Sequence, residues 1–307
     1  MKNAPVRHRV EHGLYFTLKG FLRALPHAAA RGVGQRLGAL AHRLDRRHRE
    51  IALRNLALAF PELDEPSRRT LVAACFRHFG GALTDFVSSS RFTQEELCRR
   101  FTYEGWENLD TAAAAGRGVF ILSAHLGYWE MAAFPVGLYK GDLHLVARPA
   151  DNPYLERELS SLRTRFGNEV IHKHGAARRM LQILRGEGRI AILIDQRVQE
   201  KEGIAVPFFG HEALTTPVLA RLSLRTGTPV VACFGIPTPG GTYRFLARPP
   251  IFPEGEGEAA VLELTRRYLE VIEEEIRRYP ELWLWMHRRW DRGRRGGEAS
   301  PSPKDSL

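Results

Sequence analysis

The chain has 307 residues, 44% apolar and 26% charged, and 45 lysines and arginines against 35 acidic residues leave a formal charge of +10. That is enough apolar material for one large domain or two small ones, but no apolar run approaches the roughly 20 residues needed to cross a bilayer. The positive excess predicts an anionic partner (nucleic acid, a phospholipid surface or an acidic carrier protein), and three scattered cysteines, Cys75, Cys98 and Cys233, argue for a reducing compartment over a disulfide frame or zinc site.

The first thirteen residues are polar and basic, with no secretory cleavage pattern after them. Leu14, Tyr15, Phe16, Leu18, Phe21, Leu22 and Leu25 then form an apolar band ended by Pro26, with Lys19 and Arg23 on the other side. The band is too short to span a bilayer. It reads either as an amphipathic helix lying in a membrane interface or as one half of a packed helical pair. A second helical pattern follows through Val33, Leu37, Leu40, Ala41 and Leu44, and a basic cluster from Arg43 to Arg49 leads into Ile51, Leu53, Leu56 and Leu58. Residues 1–60 are therefore expected to form an N-terminal helical, membrane-associating segment, and residues 61–291 an α/β domain. A loop over 61–66 leads to a helix predicted from Ser67 to about Ser88. Short strands are expected over 101–104, 119–122, 143–147, 169–171, 190–194, 228–234 and 243–246. Helices are expected over 106–115, 154–166, 176–185, 215–225 and 258–278. This alternation predicts an α/β fold with a mainly parallel central sheet flanked by helices. The tail from Arg292, rich in Gly, Ser, Pro and charge, reads as disordered.

The most informative stretch is Val119–Glu130. An apolar run typical of a buried strand reaches His125 at its carboxyl edge, and Glu130 follows five residues later. Inside one helix the two side chains would point roughly 140° apart. For the carboxylate to touch the imidazole, His125 must lie in the turn before the helix, with Glu130 folding back from it. A histidine so held is a general base with its tautomer fixed. The alternative is a buried histidine capping a strand beside a surface glutamate. Other polar residues also follow predicted strands: Arg148, Asn152, Arg163, Arg165, Asp195 and Gln196. Converging on one sheet edge, they would suit an anionic substrate, although Arg163 and Arg165 also read as exposed helix residues. His172 and His174 flank Lys173 and read as a solvated turn. The sequence has no Gly-x-Ser-x-Gly elbow, no phosphate loop, no dinucleotide fingerprint and no metal-ligand spacing.

These blocks, in order, resemble the lipid A biosynthesis acyltransferases, the late lauroyl/myristoyl transferases within the lysophospholipid acyltransferase superfamily. The hallmark His-x4-Asp/Glu stands here as His125 to Glu130. Arg148-Pro149 with Asn152-Pro153 is similar to a second block, and Arg163 with Gly167 and Ile171 to a third. Asp195-Gln196 followed by Val206-Pro207-Phe208-Phe209-Gly210 resembles a fourth. Thr226 to Val231 and Trp285-Met286-His287-Arg288-Arg289-Trp290 resemble the closing blocks. The resemblance runs from about Leu14 to Trp290. One departure is Val218, which stands beside Pro217 where the family commonly has glycine.

The resemblance implies acyl transfer from a thioester, usually acyl-acyl carrier protein, to a hydroxyl of a glycolipid at the cytoplasmic face of the bacterial inner membrane. His125 is expected to act as general base with Glu130 orienting it. Arg148, Asn152, Arg163, Arg165, Asp195 and Gln196 are expected to bind substrate, and no cofactor or metal is expected. Arg163, Arg165 or amides near Gly127 are the expected donors to the carbonyl oxygen. Acyl carrier protein, a glycolipid acceptor and an anionic membrane surface are the expected partners. Other acceptors, of phosphatidylinositol mannoside or ornithine-lipid type, fit the same motifs. A non-catalytic membrane-binding module is a further alternative. Nucleic acid is not expected, because no recognition motif accompanies the charge.

Overall fold

The computed structural model describes residues 5–291 apart from 142 and 173–175. The expected tail from Arg292, and Lys173 and His174, lie outside the described residues. Four helices come first: α1 (Val6–Ala24), α2 (His27–Leu44), α3 (Arg46–Ala59) and α4 (Glu65–Ser88). Next come α5 (Gln94–Cys98), β1 (Phe101–Glu104), α6 (Glu107–Ala113), β2 (Val119–Ser123), α7 (Trp129–Lys140), β3 (Leu143–Ala147), α8 (Pro153–Arg163), β4 (Glu169–His172), α9 (Ala176–Arg185) and β5 (Arg189–Leu193). The remainder is β6 (Ile204–Phe208), β7 (His211–Thr215), α10 (Val218–Thr226), β8 (Val230–Thr238), β9 (Thr242–Ala247) and α11 (Gly257–Arg278).

Seven strands form one sheet in the order β1-β9-β8-β2-β5-β3-β4, antiparallel only between β8 and β9. The expectation of a mainly parallel sheet flanked by helices therefore holds. β2 lies between β8 and β5 and is buried along its length. Its side chains alternate between faces, as a pleated strand requires. Phe120 and Leu122 join the core beneath α9, α10 and α11, whereas Val119 and Ile121 join the core beneath α6 and α7. Both faces being covered explains why β2 reads as an uninterrupted apolar run.

Local signals fix several helix starts. Asp64 accepts a hydrogen bond from the Ser67 amide at 2.9 Å and so caps α4, which begins two residues before the expected Ser67. Thr93 and Glu96 form a reciprocal capping box at α5. Asn152 caps α8 ahead of Pro153. Residues 215–225 do not form a single helix: Thr215 ends β7, and α10 starts after Pro217. The β6–β7 hairpin was not legible because Pro207 argues against a strand and Phe209 occupies positive φ (52°), followed by Gly210 at 74°. Packing of the Phe209 ring against Phe60 and Trp285 accompanies that unusual backbone.

The last helix of the expected N-terminal segment packs into the core beneath the sheet. Ala52, Leu56, Ala59 and Phe60 belong to the same buried cluster as Phe120 and Ile190. α2 and α4 cross with backbones in contact: a Cβ on Gly38 would lie 2.1 Å from the Phe76 carbonyl oxygen, and one on Gly80 2.1 Å from that of Gly34. α1 carries exposed Val6, Val10, Leu14, Phe16 and Phe21. Among the described residues, no helix is long and apolar enough to cross a membrane.

Asn55 on α3 donates to the carbonyls of Trp285 (2.8 Å) and His287 (2.7 Å), tying the helical segment to the chain's last described turn. Asn55→Ala strands those two acceptors and is expected to lower unfolding free energy by about 2–4 kcal/mol in urea titration. Asn55→Asp, which keeps the volume but removes both donors, is expected to cost no less.

Candidate active site

The parallel register of β2 and β5 sets Ser123 beside Leu193. Two residues further along each chain, His125 and Asp195 emerge side by side at the carboxyl edge of the sheet. Asp195 Oδ1 accepts from His125 Nδ1 at 2.9 Å, and Oδ2 accepts from the His125 backbone amide at 2.8 Å. The Trp283 indole donates to Oδ2 at 2.9 Å. With Asp195 2% exposed, these donors stand in for water around its charge. Burial pushes the Asp195 carboxyl up, but the His125 charge and the hydrogen bonds win and hold it down at about 2. Burial likewise disfavours the imidazolium of His125, and the charge and hydrogen bond of Asp195 outweigh it, with Glu130 adding at longer range, so the net shift is upward.

The carboxylate on His125 is thus Asp195, and the sequence-based expectation that Glu130 folds back onto the imidazole is corrected. Gly127 turns the chain at φ +61°, and α7 starts at Trp129, so Glu130 sits in its first turn. It faces the end of α8. Arg163 Nε donates to Glu130 Oε2 at 3.0 Å and Nη2 to Oε1 at 2.6 Å, a bidentate, largely buried pair. Among the described residues, Arg163 Nη1 is buried with no hydrogen-bond partner.

A cavity of about 390 Å³ opens at this edge and runs between the sheet and α7. His125, Trp129, Glu130, Arg148, Arg163 and Gln196 contribute its polar rim, and Ile121, Ala133, Val136, Leu143, Ala191 and Phe245 are among its apolar walls. Gln196 Nε2 lies 3.2 Å from His125 Nε2, which fits donation to an unprotonated Nε2 when Asp195 holds the proton on Nδ1. Arg148 stands exposed at the mouth, its nearest acid Asp151 at 3.4 Å.

Two expected substrate-binding residues are elsewhere. Arg165 donates to the Phe92 carbonyl at 2.9 Å and lies over the Phe166 ring. Asn152 is buried. It caps α8 and donates to the His8 carbonyl and to Glu11 Oε2, both at 3.0 Å, which fastens α1 to α8. Nor are the amides near Gly127 free: those of Gly127 and Tyr128 donate to the Leu282 and Gly235 carbonyls.

Three contributors were not singled out from sequence. Trp283 holds Asp195. His78, kept neutral by burial that lowers its pKa to about 4, sits 3.1 Å from the Gly127 carbonyl. Trp129 places its ring 5.3 Å from that of His125. Trp283 had the signal of neighbouring the Trp285–Trp290 block; His78 had none beyond its place on an apolar helix.

Residues 5–292 match the sequence profile of the bacterial lipid A biosynthesis acyltransferases. The chain belongs to this family. It is 29% identical over 283 residues to the lipid A biosynthesis palmitoleoyltransferase of Escherichia coli K12, covering 90% of this chain and 89% of the relative. It is 27% identical over 269 residues to the lauroyltransferase of the same organism, covering 87% and 86%. A phosphatidylinositol mannoside acyltransferase of Mycobacterium tuberculosis matches at 24% over 72% of this chain and 70% of its own length. Family membership makes the protein an acyltransferase.

Asp195→Asn keeps the shape of the side chain and removes its charge. Transfer is expected to fall about 10²–10⁴-fold. With His125 as the expected base, its raised pKa is expected to place the acid limb of kcat/KM of the unsubstituted enzyme above the ordinary 6.5. Without the Asp195 charge, the lowering effect of burial prevails and the limb should move to lower pH, which a pH–rate profile measures.

Proposed function

We propose that the protein moves a fatty acyl chain from a thioester donor to a hydroxyl of a lipid A precursor or related glycolipid, with His125 as general base. The observation that carries this reading is the His125–Asp195 pair at the mouth of an apolar cavity. Asp195 holds the proton on Nδ1 and leaves the Nε2 lone pair facing the cavity side occupied by Gln196. As the acceptor oxygen attacks the thioester carbonyl, Nε2 takes its proton. The resulting tetrahedral intermediate collapses by breaking the carbon–sulfur bond. The imidazolium returns the proton to the departing sulfur, so the base is regenerated and no enzyme nucleophile is used. Asp195 offsets the transient charge on the imidazolium.

The carbonyl oxygen needs a donor while it carries negative charge. Arg163 is the best-supported source, because its Nη1 is buried and has no partner among the described residues while Glu130 holds the other two nitrogens. On this reading Glu130 is a positioning residue. It fixes the guanidinium and does not itself touch the base.

The apolar walls of the cavity suit the acyl chain of the donor, with the thioester at His125 and the chain running along α7. Acyl carrier protein is the favoured donor, since an acidic partner is drawn to a surface of +10. The same charge favours an anionic membrane face, and the exposed apolar residues of α1 favour interfacial contact at the cytoplasmic side of the inner membrane. The mycobacterial relative's name keeps a phosphatidylinositol mannoside acceptor as the second reading.

His125→Ala is expected to abolish acyl transfer in an assay with acyl-acyl carrier protein while circular dichroism stays unchanged; normal turnover would end the scheme. Val136, about two helical turns into α7, lines the cavity. Val136→Phe is expected to shift preference to shorter donors, read by mass spectrometry after competition between donors of mixed chain length.

A further inference from the structure

A second groove, of about 330 Å³, lies against the outer side of the Glu130–Arg163 pair. Its walls come from α4 (Phe79, Leu83, Phe86), α7 (Met131) and α8 (Leu159). Trp129, Glu130 and Arg163 line both this groove and the His125 cavity, so the ion pair and the indole form the partition between them. Among the described residues, Glu130 and Arg163 are the only charged ones lining the groove, and they neutralise each other. Apart from them, Tyr128 and the Trp129 indole are the polar side chains among the described lining residues. A peptide would bury unpaired amides in it, whereas a hydrocarbon chain loses nothing.

The outer rim also has an apolar character. Leu83 is 59% exposed. α1 packs against both α4 and α8, the two helices that supply the groove's long walls, and it carries exposed Val10, Leu14, Phe16 and Phe21. Exposed apolar side chains therefore stand on a helix packed against both long walls of the groove, and the groove itself reaches the partition beside His125. In the scheme above the donor's acyl chain fills the His125 cavity, which leaves the hydrocarbon of the acceptor lipid to be held elsewhere.

We propose that this groove receives a hydrocarbon chain of the acceptor lipid, entering from the α1 side, so that donor and acceptor chains lie on opposite sides of the Glu130–Arg163 partition. The assignment to the acceptor rests on the acyl-transfer reading; the binding of a lipid chain does not require turnover.

The test uses the full chain with phosphatidylglycerol vesicles containing a phospholipid that carries a photoactivatable diazirine on its acyl chain. Cross-linked peptides are mapped by mass spectrometry, with and without lauroyl-coenzyme A. The expected result is labelling within 79–86 and 159–163 that persists when lauroyl-coenzyme A is present. Leu159→Trp, which fills the groove, and Leu83→Glu, which makes its rim polar, should each reduce that labelling about tenfold, the effect of losing about two buried methylenes. His125→Ala should label as the unsubstituted protein does. Labelling confined to α1, or to the walls of the His125 cavity, would overturn the proposal. So would displacement of the groove label by lauroyl-coenzyme A, which would give the groove to the donor chain. Groove labelling by a protein that transfers no acyl group would instead reject the reading of function and leave the lipid site standing.

Discussion

The candidate site depends on one constraint, the parallel pairing of β2 with β5. Because Ser123 and Leu193 are in register, the residues two places beyond them meet without any long-range search. His125 and Asp195 then share two hydrogen bonds, one through the ring and one through the backbone. A buried carboxylate is costly unless donors surround it. Asp195 collects three, and the third comes from Trp283, far along the chain. The ring tautomer, the orientation of the imidazole and the packing of the chain's last turn are thus set by one carboxylate.

The surroundings hold that arrangement rigid. A Cβ on Gly127 would lie 2.1 Å from the Gly235 carbonyl oxygen, so the turn after His125 presses directly on β8. On the other side, Asp85 of α4 is fully buried and takes hydrogen bonds from Arg31 Nε at 2.7 Å and the Tyr243 hydroxyl at 3.1 Å, with His27 Nε2 at 3.1 Å. This network joins α2, α4 and β9 behind Tyr128, whose ring lies 5.0 Å from that of Tyr243. The helical front of the chain is therefore part of the frame around His125.

The two acids of the sequence motifs have distinct environments, and that difference separates their chemistry. Asp195 is enclosed, takes up a proton only in strong acid and contacts the imidazole. Glu130 grips a guanidinium that is itself partly buried, and its influence on His125 is electrostatic at longer range. Two carboxylates near one histidine thus divide the work of holding an imidazole and holding a guanidinium.

Sequence alone determined the strands of the main sheet, most of the helices and the family. Apolar runs bounded by glycine and proline located the seven strands of the main sheet, and ordered blocks from Leu14 to Trp290 carried the resemblance. Those signals are local, because strand burial, caps and turn residues are written in adjacent positions. His125 was legible for the same reason, as the polar stop at the end of an apolar run. Its partner was not. Asp195 and Glu130 are both acids placed near a sheet edge in the sequence, and only strand order decides which one reaches the ring. Asn152 and Arg165 likewise looked like ligands until packing gave them helix-capping and carbonyl-binding tasks. Which side chains meet was settled by the tertiary structure, since contacts between residues 70 or more positions apart depend on register and crossing geometry that no short window of sequence encodes.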